Sequence, residues 1–187
     1  ENMNNSDLQG LKDSVSDISK QIEISQNRVA GLKKVISVID GNSSEVEMLF
    51  TSLPEAVKAN PDQTVFLLLG TDYVKREQIV KESFTGQNID QKNSSEFGDQ
   101  FLEAIRGGAE TKFLWNGKIH SYDVFQIDNV EDFTTRPHIA EEVVNRVRAR
   151  SRLGKITILS GNAFAGQRTY APKMLELINN ATTINLK

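Results

Sequence analysis

The chain has 187 residues, a formal net charge of -3 at pH 7 and no cysteine. Such a length suits one core-bearing domain with an appendage rather than two full-sized domains. The mild acidity argues against a surface built to coat nucleic acid, and the lack of cysteine excludes disulfides, thiolate metal sites and a cysteine nucleophile.

The first forty residues carry apolar side chains at alternating steps of three and four, with Ser25 as the polar exception. This heptad pattern predicts a coiled-coil helix over residues 1–41 that oligomerises as a dimer, trimer or larger ring. A long helix packed on its own domain stays open as the alternative. The predicted oligomerisation residues are Leu8, Leu11, Val15, Ile18, Ile22, Val29, Leu32 and Ile36.

Residues 44–110 are predicted to be mostly helical, with one buried strand. A helix beginning at Ser44 is broken or restarted by Pro54. The continuous apolar run "TVFLLLG" predicts a strand covered on both faces, and "YVKREQIVKESF" predicts a short helix. The polar stretch 85–95 is predicted to be a loop, and "EFGDQFLEAI" a helix that stops at Gly107 and Gly108.

Residues 111–187 are predicted to be β-rich with one helix. Asn116-Gly117 lies between two alternating runs, which predicts a β-hairpin with strands near 111–115 and 118–127. The segment 155–187 is typical of a strand, a small-residue loop, a helix and a strand. The sequence therefore predicts an α+β fold, in which a long amino-terminal coiled-coil helix precedes a mixed domain at residues 42–187.

Four arginines recur at every second position near residue 150. On a strand this spacing places every guanidinium on one face, so a strand is predicted for residues 145–153. In an acidic chain such a stripe favours a steered protein contact over nucleic acid, with a merely solvated sheet face as the alternative. The predicted interaction face consists of Arg146, Arg148, Arg150 and Arg152.

No constellation in the sequence predicts catalysis. The loop "SGNAFAGQRTYAP" lacks the glycine spacing and the Lys-Ser/Thr of a phosphate loop, and Pro172 explains it as a helix start. His120 and Asp123 would face opposite sides of a predicted strand, and no metal-binding spacing involves His138. We therefore expect no catalytic residue, no cofactor and no metal site, and a protein that is not an enzyme.

The last third resembles a known kind of module. The segments "IDNVEDFTTRPHIAEEVVNR", "KITILSGNAFAG" and "TYAPKMLELINNATTINL" are similar to the baseplate and distal-tail proteins of tailed phages and contractile injection systems. The resemblance implies a non-enzymatic structural protein of a virion, in a ring or hub around a tail tube. The matching residues are Thr157, Ile158, Ser160, Gly161, Tyr170, Leu175, Leu177, Ile178, Thr183 and Ile184.

From these observations we expect a structural assembly component of a phage tail or injection particle. Its expected partners are itself and other particle proteins, with no nucleic acid and no direct membrane contact. The alternative is an extracytoplasmic ligand-sensing domain of a membrane receptor, in which the helix is the stalk.

Overall fold

The computed structural model describes residues 5–39, 50–162 and 170–186. The chain divides into two units, Glu1–Leu49 and Phe50–Lys187. The first unit contains helix α1 (Asn5–Ile39). None of the helices within the described ranges combines the length and apolarity needed to cross a membrane.

The second unit alternates strands with helices. Its strands are β1 (Val65–Leu69), β2 (Ile89–Asn93), β3 (Val124–Asp128), β4 (Ile156–Gly161) and β5 (Thr182–Asn185). Its helices are α2 (Leu53–Ala59), α3 (Tyr73–Ser83), α4 (Ser94–Arg106), α5 (Ala109–Ser121), α6 (Pro137–Arg152) and α7 (Pro172–Asn180), with a 3-10 helix at Val130–Thr135.

All five strands pair in parallel, in the order β2-β3-β4-β1-β5. Parallel pairing requires a crossover between successive strands, and here helices supply each one. The crossovers cover both faces of the sheet, so the central strands are buried on both sides. The continuous apolar run of β1 is one result, and its five residues are all buried, as predicted.

Two apolar cores lie on opposite faces of the sheet. One packs Leu67, Phe125 and Leu159 against α4 to α7, and the other packs Phe66 and Ile158 against α2 and α3. Alternate residues along each strand enter alternate cores, because successive side chains point to opposite faces. The unit is therefore a three-layer α/β structure.

The predicted α+β class with a long coiled coil and a hairpin is wrong. The body is an α/β fold with a parallel sheet, and a coiled coil is not part of it. Helix α1 is a single helix on which the stripe residues Leu8, Leu11, Val15, Ile18 and Ile22 are exposed. The side chains of Val29, Leu32 and Ile36 lie outside the described set, so self-association through the stripe stays a prediction.

The predicted hairpin is a helix in the structure. Asn116 and Gly117 lie inside α5, and β3 begins only at Val124. Tertiary packing overrides the turn signal, because Trp115 and Ile119 are one helical turn apart and both enter the core. The Trp115 ring lies 5.4 Å from Phe97, and Ile119 is buried.

Two further predictions need correction. The expected loop at 85–95 contains β2, an edge strand whose polar residues suit its half-exposed position. The helix expected from Ser44 falls largely on residues outside the described ranges. The described helix α2 begins at Leu53, with Ser52 as its cap and Pro54 in its first turn.

Candidate functional site

The candidate site lies at the carboxyl ends of β1, β3 and β4. Strands β1 and β4 are neighbours, and the chain leaves them toward opposite faces, through α3 and α7 respectively. Such a reversal opens a crevice beyond the strand ends, which is where open α/β sheets bind ligands. The side chains in this crevice therefore indicate which kind of ligand the domain could bind.

A buried ion pair fills the crevice. Arg76, in the first turns of α3, is only 1% exposed, and Asp128 is the last residue of β3. The guanidinium donates from Nε to Asp128 Oδ1 at 2.8 Å and from Nη2 to Oδ2 at 3.0 Å. This two-point geometry is the strongest form of arginine–carboxylate pairing.

Three further oxygens accept from the same guanidinium. Nη1 donates to the Gly70 carbonyl at 2.6 Å and to Asn162 Oδ1 at 3.3 Å, while Nη2 donates to Asn129 Oδ1 at 3.1 Å. Asn129 has a positive φ of 58°, a conformation that Asn tolerates better than most residues. Arg76 thus connects α3 to the ends of β1, β3 and β4.

A chain of polar side chains supports Asp128 from behind. Ser160 Oγ donates to Asp128 Oδ1 at 2.7 Å, and Gln126 Nε2 donates to Ser160 Oγ at 2.9 Å. Gln91 Nε2 donates in turn to Gln126 Oε1 at 2.8 Å. Ser160 and Gln126 are buried, so these bonds hold the carboxylate in one orientation.

The turn between β1 and α3 is too short for a phosphate loop. It contains only Gly70, Thr71 and Asp72. The Asp72 carboxylate accepts from the backbone N–H of Val74 at 3.0 Å and of Lys75 at 3.3 Å. A helix start can bind phosphate, but here a side-chain anion already occupies those donors.

Asp128, at the end of β3, occupies the kind of position that an aspartate has in known nucleotide-binding sites. In P-loop nucleotide hydrolases, an aspartate after an apolar strand helps to hold Mg²⁺, and the loop lysine contacts the phosphates. Here Asp128 bonds to Arg76, and Glu77 follows where that motif has Ser or Thr. The residues present therefore do not fit a magnesium-bound nucleotide.

The four arginines predicted to share one face do not do so. Residues 145–152 belong to α6, so the strand prediction is wrong. On a helix, residues two apart point to nearly opposite sides, whereas residues four apart share a face. The arginines therefore form two pairs, Arg146 with Arg150 and Arg148 with Arg152. Arg146 and Arg150 turn inward, whereas Arg148 and Arg152 are exposed, with Arg148 3.6 Å from Glu176. Whether the exposed pair contacts a partner stays a prediction.

The residues around His120 form a separate cluster. Arg146 Nη1 lies 2.9 Å from His120 Nε2, and Glu142 accepts from Lys112 at 2.6 Å. Burial lowers the pKa of His120, and the positive charges of Arg146 and Arg150 lower it further, against the opposing effect of Glu142.

Asp123 belongs to a different contact. It accepts from Lys155 Nζ at 3.0 Å, and this hydrogen bond is the main cause that lowers the pKa of Asp123. Within residues 5–39, 50–162 and 170–186, no three His, Asp or Glu side chains are grouped as metal ligands would be.

Comparison with solved structures identifies similar folds. One is a replication initiator DnaA bound to AMPPCP and single-stranded DNA, with a TM-score of 0.60 and 12% identity over 71% of this chain. Domain III of the Thermotoga maritima replication initiation protein DnaA gives 0.57 at 13% over 72%, and AMPPCP-bound DnaA from Aquifex aeolicus gives 0.59 at 13% over 71%.

The chain spans 44%, 59% and 45% of the lengths of those three structures. Neither the models of known protein families nor the curated protein sequences give a match. At such low identity the likeness concerns the fold alone, which is α/β.

These findings correct the resemblance to phage baseplate and distal-tail proteins, which is wrong. The matched structures are replication initiators, so a phage-tail role and a virion location lose their basis. The expectation of no nucleic-acid partner is likewise overturned, since one of the structures with this fold is bound to single-stranded DNA. The strand–loop–helix–strand segment from residue 155 belongs to a parallel sheet instead.

Sequence reasoning missed Arg76, Asn129 and Asn162, and considered Asp128 only as a possible histidine partner. It tested for a phosphate loop after β4 and not after β1. The signal was available, because Gly70 and Arg76 stand at the spacing of the first glycine and the lysine in the GxxxxGK motif. The apolar strand that ends at Asp128 was the second signal.

Proposed function

We propose that this chain is a nucleotide-independent binding domain with the replication-initiator fold, and that it acts in a DNA-bound protein assembly. In this proposal the domain does not hydrolyse ATP. Its fold serves to present surfaces to DNA and to neighbouring proteins.

The observation that carries the proposal is the position of Arg76. Its guanidinium is buried in the crevice and bonded to both carboxylate oxygens of Asp128. A nucleotide with Mg²⁺ would have to displace this cation and leave it without its partner, and breaking a buried pair costs about 3–5 kcal/mol. Asp72 at the start of α3 would repel the phosphates as well.

The DNA part of the proposal rests on the fold likeness. One of the similar structures holds single-stranded DNA, and its fold covers 71% of this chain. The net charge of -3 does not prevent local contacts with phosphates. Any such contacts would make binding sensitive to salt, because each neutralised phosphate releases counterions.

Nucleotide binding is tested by thermal unfolding with and without magnesium and ATP. A ligand at about 100 times its Kd stabilises a protein by about 2.7 kcal/mol, so real binding raises the Tm by several degrees. We expect no rise in Tm at about 1 mM ATP and no phosphate release above a protein-free blank. A saturable rise in Tm, or sustained phosphate release, would contradict the proposal.

DNA binding is tested by fluorescence anisotropy with a labelled single-stranded oligonucleotide. We expect binding that weakens at least tenfold between about 50 and about 200 mM salt and does not change when ATP is added. Failure to bind at the lower salt concentration would remove DNA from the proposal, independently of the nucleotide result.

A further inference from the structure

The crevice has the chemistry of a receptor for one kind of cation. Among the described residues, the groups within hydrogen-bonding distance of the Arg76 guanidinium are oxygen acceptors, contributed by Gly70, Asp128, Asn129 and Asn162. They lie on different sides of the cation and engage each of its three nitrogens. A planar guanidinium with five N–H donors fits such an arrangement better than a point charge.

We propose that this crevice is a guanidinium-binding site, which Arg76 fills from within the chain and thereby locks α3 to the ends of β3 and β4. The inference rests on the geometry of the crevice and does not depend on the proposed DNA role. It assigns the site a ligand class, guanidinium, which differs from the nucleotide analogue AMPPCP that is bound in two of the similar structures.

The surrounding structure should keep the site formed when the ligand is removed. Ser160 and Gln126 hold Asp128 through bonds that do not involve Arg76, and the Asn129 carbonyl accepts from the Asp132 backbone N–H at 3.0 Å. Without Arg76, the acceptors should therefore remain in place around an empty space the size of a guanidinium group.

The test removes the internal ligand and supplies an external one. Arg76→Ala is expected to lower the Tm by about 10–15 °C, because it leaves the Asp128 charge unpaired. Guanidinium chloride at about 50 mM should then raise the Tm of the variant by about 3 °C, as a ligand with a Kd near 10 mM would. Sodium chloride at the same ionic strength should have no such effect.

Two matched variants define the result. Arg148→Ala removes an exposed arginine, and guanidinium should only lower its Tm, as it does for the wild type. The double variant Arg76→Ala, Asp128→Asn lacks the carboxylate and should also not be rescued. A rescue seen equally in all variants, or absent from Arg76→Ala, would overturn the guanidinium site.

A measurement on the intact chain covers the case in which Arg76→Ala does not fold. The Nε–H of a guanidinium held in this way exchanges slowly with water, so a ¹⁵N–¹H spectrum at neutral pH should contain a protected arginine Nε–H signal. That signal should disappear in Arg76→Lys. If the only protected signal belongs to Arg150, the proposal is wrong. This signal reports the burial of Arg76, on which the proposed function also rests. The rescue experiment separates the two proposals, because guanidinium can fail to rescue Arg76→Ala while the wild type still shows no ATP binding.

Discussion

Two buried arginines stabilise opposite ends of the sheet in different ways. Arg76 lies at the carboxyl ends of the strands and is paired with the carboxylate of Asp128. Arg150 lies at the amino end of β4, where it is completely buried. Its guanidinium donates to the carbonyls of Ile119, Tyr122 and Ile156 at 2.6–2.8 Å, and to Thr157 Oγ1 at 3.1 Å.

The groups that accept hydrogen bonds from Arg150 are neutral, and the Asp123 carboxylate favours its charge from farther away. The carbonyls of Ile119 and Tyr122 lie at the end of α5, where the helix dipole favours a cation. The guanidinium also lies over the Phe125 ring, 5.4 Å from its centre. Burial lowers the pKa of Arg150 to about 10, which still leaves it charged at neutral pH.

The contrast distinguishes a structural role for Arg150 from a candidate ligand site at Arg76. Arg150 donates to carbonyls at the ends of α5 and β4 that have no partner within their own element, and a buried helix end requires such donors. Arg76 neutralises a carboxylate that the fold places in its ligand crevice, so its loss leaves a charge behind. The following predictions test this difference, from the largest expected effect to the smallest.

The largest effect is expected for the pair in the crevice. Arg76→Met should lower the free energy of unfolding by about 3–5 kcal/mol, because the Asp128 carboxylate loses its partner inside the protein. Urea unfolding of Arg76→Met, Asp128→Asn and the double variant forms a cycle. The double variant should lose less than the sum of the two single losses, and exact additivity would contradict a functional pairing.

Arg150→Lys should lower the free energy of unfolding by about 2–3 kcal/mol, since an ammonium group cannot span the acceptors that the guanidinium reaches. Arg148→Lys, at an exposed position on the same helix, is the control and should change stability by less than about 0.5 kcal/mol. Equal effects at the two positions would mean that the buried bonds of Arg150 contribute nothing.

Thr157→Val should cost about 1–2 kcal/mol in urea unfolding. The valine keeps the shape of the side chain but removes the oxygen that accepts from Arg150 Nε, which stays buried. Thr71→Val, at an exposed position in the turn after β1, should be close to neutral. A neutral Thr157→Val would indicate that water or another acceptor replaces the hydroxyl.

The smallest effect concerns acidification near His120. Its pKa is lowered in the folded protein, so as the pH falls below about 6.5 the unfolded chain takes up the proton first and stability decreases. His120→Gln should therefore show a shallower loss of unfolding free energy between pH 7 and pH 5. A parallel decline in both proteins would show that burial and the charges of Arg146 and Arg150 do not lower the His120 pKa.

Local patterns were sufficient for several elements. The apolar run of β1, the helix α3 and the strand–helix–strand sequence from residue 155 follow from periodicity and apolar runs, and the structure contains them. The errors occur where local signals compete with packing. Asn116-Gly117 is a turn signal in isolation, but Trp115 and Ile119 gain more by packing as a helix.

The candidate site was harder to predict because its members are far apart in the chain. Arg76 lies in α3, Asp128 ends β3 and Asn162 follows β4, and only the strand order brings them together. Taken by itself, Arg76 is not distinguished in the sequence from the other charged residues of the short helix α3. Its burial is decided by the crevice that opens where the chain reverses direction across the sheet.

The sequence by itself determined that residues 65–69 form a buried strand, because a continuous apolar run is stable only when both faces are covered. It also determined that the turn before α3 lacks a second glycine and a Lys-Ser/Thr pair. Only the tertiary structure decided that β1 lies between β4 and β5, which do not follow it directly in sequence. It also decided that Arg76 and Arg150 are buried, with Arg76 against a carboxylate. Long-range packing brings each arginine to its partners. The strength of these hydrogen bonds and of the ion pair depends on burial, and burial cannot be read from a local sequence pattern.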